Sequence, residues 1–327
     1  MDPVCHTLAG AALARCGLGR RTALGSAALI IGANLPDLDA LAYFAGPGAD
    51  LEWRRGWSHG VLALAALPFL LTGCLLILHR LRHGAAASVV KPGQLLLLSF
   101  IAIISHPVLD TLNTYGVRWL MPFSGQWFYG DTLFIVDPWV SVALGLGVYY
   151  SARREKANRG NSSRPVWLSL ALVTLYACAM ALSGRVAASI ISREVASKTG
   201  VSVQEVMAGP VPLDPLTRKF VVEQGQQYRV GTFRWMKQPQ VNFDEVLTFS
   251  RKRPAHPALP VAAKSPLGRR FLGWARFPAF EIEQVGKSRF MVNIVDLRYA
   301  RRPGEAFGAV SIPVTLPTAS GPSPDIP

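Results

Sequence analysis

Apolar positions along the chain gather into six runs parted by short polar stretches. Residues 4–18 and 22–36, rich in Ala, Leu and Gly, flank the basic turn Gly19-Arg20-Arg21 and read as a helical hairpin. Each run is short against the ~20 residues that cross a bilayer. Residues 60–78 predict a strong transmembrane helix, and a second is expected from Gln94 to about Thr114. Asp137-Pro138 opens a helix reaching about Tyr150, and 166–183 is the last span. Past Gly184 the pattern shortens. A helix over 186–199 leads into alternating runs at 220–223, 228–235, 280–285, 289–298 and 309–316, which predict strands. The expected fold class is mainly α: a polytopic transmembrane helical bundle (1–184) with a small β-rich C-terminal domain (185–316). A disordered tail rich in Pro, Ser and Gly (317–327) is expected to follow.

Composition supports that division. Half of the residues are hydrophobic, 17% are charged, and mean hydropathy is +0.27. Such a chain is too apolar for an ordinary soluble enzyme and calls for several membrane spans. The net charge of +14 suits basic loops and anionic head groups. Nucleic acid is the rival partner for that charge, but no nucleic-acid motif is present and none is expected to bind. Cys5, Cys16, Cys74 and Cys178 are scattered through apolar segments and read as small buried hydrophobes. The first six residues lack a positively charged start, so the segment carrying His6 is expected to be retained. Residues 115–133 form an aromatic loop suited to the head-group level.

The positive-inside rule then orders the polar residues. Basic loops at 80–93 and 152–164, with the Arg20-Arg21 turn, are expected in the cytoplasm. With those inside, His6, Asp37, Asp39, His59, His106, Asp110, Asp131 and Asp137 all fall at the outer face. Arg54 and Arg55 run against the rule there and read instead as a site for an anionic substrate or lipid phosphate.

His106 and Asp110 lie one helical turn apart on one face. Burying that pair in an apolar helix requires a partner, either a direct His–Asp hydrogen bond that ties down the helix end or a metal ion. Asp37 and Asp39, two carboxylates with one residue between them, read as a metal site or as a polar turn after Pro36. His59 opens a helix behind Ser58, a candidate N-cap. Asp137 before Pro138 reads as an N-cap with proline at the first helical position. Thr111, Asn113, Thr114 and Tyr115 are candidates to orient ligands.

The ordered set is His6-Thr7, Pro36-Asp37-Leu38-Asp39, Arg55-Gly56-Trp57-Ser58-His59, His106-xxx-Asp110 with Thr114-Tyr115-Gly116, and Asp131 with Ile135-Val136-Asp137-Pro138. It resembles the YdjM-like family of bacterial inner-membrane metal-dependent hydrolases over about the first 180 residues. More distantly it is similar to the zinc-dependent phospholipase C and single-strand nuclease superfamily. That resemblance implies a multi-pass inner-membrane phosphoester hydrolase with His6, Asp37, His59, His106 and Asp110 as metal ligands. The chain lacks the further downstream His and Glu ligands of that superfamily, so one or two divalent ions, zinc foremost, are expected in place of three.

The expected function is therefore metal-dependent hydrolysis of a phosphoester on the periplasmic side, with a lipid-linked phosphoester as the candidate substrate. Asp39 or Asp131 would act as general base, and Arg54 and Arg55 would neutralise the substrate. Two rivals stand beside it. A metal or ion transporter needs ionisable residues at several depths. A membrane-anchored binding module would use the His/Asp layer only as a polar network.

Overall fold

The structure is a computed structural model, and it describes residues 1–83, 90–158, 160–302, 304–305 and 307–317. The expected disordered tail lies outside the described residues beyond Pro317. Two compact units divide the chain. The first holds Met1–Ala42, Trp53–Ala187 and Ala208–Arg218; the second holds Tyr43–Glu52, Ala188–Met207 and Lys219–Pro327.

In the first unit, helix α1 (Pro3–Arg15) starts at Asp2, whose carboxylate accepts from the N–H groups of Val4 and Cys5. Helix α2 (Gly25–Gly32) packs back on it. Their approach depends on Gly10, since a Cβ there would lie 2.6 Å from the Leu29 carbonyl oxygen. Small residues at a helix crossing let backbones meet in this way. The apolar run does not stop at Pro36. A 3₁₀ segment, Leu35–Ala45, carries it on, with the Asp37 N–H bonded to the Asn34 carbonyl at 3.1 Å. Tighter i→i−3 bonding accommodates the chain around a proline that cannot donate.

Helices α3 (Ala49–Trp53), α4 (Val61–His83), α5 (Pro92–Thr111), α6 (Pro138–Lys156) and α7 (Arg164–Thr199) follow. Asp137 caps α6, accepting from the N–H groups of Trp139 and Val140. Among the described residues, four segments are long and apolar enough to cross a membrane: Gly25–Ala45, Val61–Arg82, Pro92–Thr111 and Arg164–Thr199. Helix α6, expected as a further span, is not among them; its last turn carries Arg153, Arg154 and Lys156.

One expected break is absent. Gly184 does not end the last span; α7 runs on as a single 36-residue helix that takes in the expected helix at 186–199. The glycine makes room instead, because a Cβ there would stand 3.2 Å from the guanidinium of Arg218. Arg218 is fully buried and bonds the Met180 carbonyl at 2.5 Å.

Among the described residues, apolar side chains of the helices gather in cores on both sides of the hairpin of α1 and α2. Cys5, Ala12, Leu133, Val140, Leu144 and Val166 form one, around α1, α6 and α7. Ala28, Leu29, Leu71, Leu95, Leu98 and Ile103 form the other, around α2, α4 and α5.

The C-terminal part contains strands β1 (Glu205–Val211), β2 (Asp214–Gln224), β3 (Gln227–Arg234), β4 (Leu247–Ser250), β5 (Pro278–Gln284), β6 (Arg289–Asp296) and β7 (Ala309–Thr315). They form a four-stranded sheet in the order β1-β2-β3-β4 and a three-stranded sheet, β5-β6-β7. Five of the seven match the alternating runs. Strands β1 and β4 were not expected: Pro210 interrupts the first, and the second is only four residues long. Two short helices, α8 (Ala258–Lys264) and α9 (Pro266–Trp274), accompany the strands of this β-rich part. In the second unit Tyr228 and Val230 pack with Phe277, Val295 and Leu297 into one core.

Candidate metal centre

Three separate segments of the first unit bring polar side chains to one buried point. The last turns of α5 supply His106 and Asp110, both fully buried. The 3₁₀ segment supplies Asp37 and Asp39. The turn before α4 supplies His59, whose N–H bonds the Gly56 carbonyl at 3.1 Å. Space for that turn comes from Gly60, since a Cβ there would fall 2.4 Å from the Met121 carbonyl oxygen.

Asp37, His59, His106 and Asp110 form the group, each offering one ligand atom, with all four atoms within 4.8 Å of one another. Asp110 Oδ2 lies 3.4 Å from His59 Nε2 and 3.5 Å from His106 Nε2. His106 Nε2 lies 3.6 Å from Asp37 Oδ1. Those three atoms of His59, His106 and Asp110 are buried without a hydrogen-bond partner. Donors bound ~2.0–2.2 Å from a tetrahedral ion stand about 3.3–3.6 Å apart. These three separations are therefore long for hydrogen bonding and right for atoms around a divalent cation.

Outside this group, each imidazole is held by its other nitrogen. His106 Nδ1 faces the Ala33 carbonyl at 2.7 Å. His59 Nδ1 lies 2.9 Å from Ser58 Oγ and 3.2 Å from Asp39 Oδ2. Ser58 in turn donates to Asp39 at 2.7 Å, and the Arg55 N–H does so at 2.8 Å. Both contacts put the proton on Nδ1 and leave the Nε2 lone pair facing inward, the arrangement seen behind metal-ligating histidines. Burial also pushes the His59 imidazole down to about 4, so it is neutral at pH 7.

The other face of Asp110 is occupied. Its Oδ1 takes Arg55 Nη2 at 3.1 Å, His6 Nε2 at 3.3 Å and the Met1 amine. Arg55 is buried, bonded to Asn113 Oδ1 at 2.9 Å and set over the Tyr115 ring at 4.7 Å. His6 stacks on His106, ring centroids 3.6 Å apart. It touches the centre without belonging to the convergent group of four. Arg54 sits at the rim, its side chain 21% exposed and 3.7 Å from both Asp37 and Asp39.

Asp131 is placed elsewhere. It holds a left-handed backbone conformation, φ 48°, and its carbonyl accepts from Arg218 Nη1 at 3.4 Å. Its side chain is outside the convergent group. The aromatic segment that Asp131 ends is a folded hairpin, closed by Val117 N–H to Phe128 O at 3.0 Å and the reverse bond at 2.9 Å.

Two contributors escaped the sequence reading. The Ala33 carbonyl is backbone and carries no residue-type signal. Arg118 lies over the Trp127 ring at 4.7 Å and bonds the Arg54 carbonyl at 3.2 Å; an arginine within an aromatic loop has no motif to mark it.

The chain is similar to an uncharacterized protein, YfhP, of Bacillus subtilis (strain 168), with 22% identity over 328 residues covering 95% of this chain and 90% of that protein. No solved structure matches it. The model of the YdjM inner membrane protein family matches residues 1–187, the stretch that contains every residue of the centre. The chain thus belongs to the YdjM inner membrane protein family.

Proposed function

We propose that this membrane protein is a metal-dependent hydrolase of a phosphoester carried on a lipid. The observation that carries the reading is the trio of inward nitrogen and oxygen atoms on His59, His106 and Asp110, buried and unpartnered at metal-ligand spacing. Two imidazoles and two carboxylates suit zinc, and the single group of four supports one ion.

Zinc held there supplies Lewis acidity, making water a stronger acid and drawing charge from the oxygens of the substrate. The chain does the rest. Asp39 orients His59, and its Oδ1, without a hydrogen-bond partner, is placed to accept a proton at the rim. Of the two general-base candidates it is the better supported, because it lies against His59, whereas the Asp131 carbonyl is turned to Arg218. Arg54, beside both carboxylates and part exposed, meets an anionic phosphate. Arg55 is committed to Asp110 and Asn113 and serves to hold the ligand carboxylate. A centre set at the ends of segments apolar enough to cross a membrane supports a lipid-borne substrate. The basic loops support a periplasmic placement.

Elemental analysis of detergent-purified protein tests the reading, followed by a panel of phosphodiester and phospholipid substrates. We expect close to one zinc per chain, lost in His106→Ala, with hydrolysis lost alongside it. A metal-free wild type of native stability would reduce the centre to a buried polar network. Full occupancy in His106→Ala would overturn the ligand assignment.

A further inference from the structure

A second site lies at the other end of the same unit. Helix α1 has His6 near one end and Arg15 at the other, ~14 Å along its axis. Arg15 and Arg20 both bond Glu155 in the last turns of α6, each at 2.9 Å. Beside that cluster the α6–α7 hairpin opens into a cavity of about 620 Å³, within the size of small-molecule sites. Its walls include Tyr150, Arg153, Arg154, Arg164, Pro165 and Leu168.

The cavity holds three guanidinium groups and no carboxylate among its lining residues. The nearest acid in sequence, Glu155, is engaged by Arg15 and Arg20. Among the described residues Arg153, Arg154 and Arg164 have no carboxylate partner. Arg153 is set 5.9 Å from the Tyr149 ring centroid, and Arg154 Nε is buried with no hydrogen-bond partner. The negative end of α6 and the positive end of α7 meet here and oppose each other, so the arginines set the sign of the field. Several fork-shaped donors around one concavity match the oxygens of a phosphate.

The remaining wall identifies what bears the phosphate. Leu168 is 63% exposed one turn inside the candidate span Arg164–Thr199, and Trp167 beside it is 56% exposed. A tryptophan at the start of a span marks the head-group level. A soluble anion would leave Leu168 and the Tyr150 ring unmatched, whereas a phospholipid lays its chains along them.

We propose that this cavity is a binding site for an anionic phospholipid, phosphate on Arg153, Arg154 and Arg164 and acyl chains along Leu168. Basic pockets between membrane helices recognise such head groups. The site is separate from the metal centre and does not depend on the hydrolase reading.

Native mass spectrometry of the purified full-length protein tests it, titrating phosphatidylglycerol against phosphatidylcholine of the same acyl chains. We expect a retained phosphatidylglycerol adduct, weakened about fivefold for each arginine changed to glutamine. R153Q/R154Q/R164Q should lose it, with zinc content equal to that of the unaltered protein. If the triple variant does not fold, the single variant R164Q should show the fivefold weakening, and unchanged binding there would overturn the site. R80Q/R82Q, altered in another basic stretch, should retain the adduct; an equal loss there would reduce the effect to general surface charge. Equal retention of phosphatidylcholine, or displacement of the lipid by millimolar inorganic phosphate, would overturn the lipid assignment.

Discussion

His106 directs its Nδ1 at the carbonyl oxygen of Ala33, 2.7 Å away, and that contact decides which nitrogen meets Asp110. The carbonyl accepts only from a protonated nitrogen, so Nε2 is left with its lone pair. Histidine-selective ¹⁵N spectra of the metal-free protein should show both His106 and His59 carrying a proton on Nδ1 and none on Nε2. An Nε2-protonated His106 would remove the basis for calling it a ligand.

Asp39 acts on the centre through His59. Removing its charge leaves His59 less firmly aimed, and loss of such a partner costs about 10- to 100-fold in metal affinity. Asp39→Asn should therefore weaken zinc in a chelator competition by that factor. Asp131→Asn should leave the affinity unchanged, since Asp131 sits beside Arg218 and not behind a ligand imidazole.

Gly10 sits where α1 and α2 cross, and the atom a Cβ would meet is a backbone oxygen that cannot rotate away. Gly10→Ala should destabilise the helical unit by about 1–3 kcal/mol. Because α1 carries His6 and the chain after α2 presents Ala33, zinc affinity should fall with it. Thermal unfolding in detergent and the same competition assay measure both. An unshifted melting temperature would mean that the two helices do not approach this closely.

Lys219, in β2, is lowered from 10.5 to about 8, chiefly by burial and next by Arg301. Between those values the unfolded chain binds more protons than the folded one, so stability rises from pH 8 to about 10.5. Below pH 8 the lysine is charged in both states and the cost of burial is fully present. Lys219→Met should therefore raise the stability of the β-rich unit at pH 7 and flatten its rise above pH 8. Hydrogen exchange across β2 as a function of pH reads both effects.

Sidedness is open to direct labelling. Gly125→Cys, in the aromatic hairpin, and Lys156→Cys, at the end of α6, are both exposed positions. In a background with the four native cysteines replaced by alanine, an impermeant maleimide on intact cells should label the first and not the second. The reverse pattern would place the metal centre in the cytoplasm.

The ordering of apolar runs and basic loops was enough to predict most helices, and the alternating runs predicted five strands. The physical reason is local. Hydrophobic burial in lipid and the pleat of a sheet each impose a period on the residues that carry it. The i, i+4 spacing likewise put His106 and Asp110 on one face. What stayed illegible depends on contacts between distant segments. Gly184 reads locally as a helix breaker, and only Arg218, packed against it from β2, shows it to be a notch in a continuous helix. Arg54 and Arg55 are adjacent in sequence and looked equivalent. A left-handed turn at Arg55, φ 51°, sends one guanidinium into the interior beside Asp110 and leaves the other at the rim. Asp39 and Asp131 were equal candidates until folding set one behind His59 and the other beside Arg218. Residue types thus determined which groups could bind a cation. The packing of α1, α2 and α5 decided which atoms converge, because convergence is a property of distances that no local period encodes.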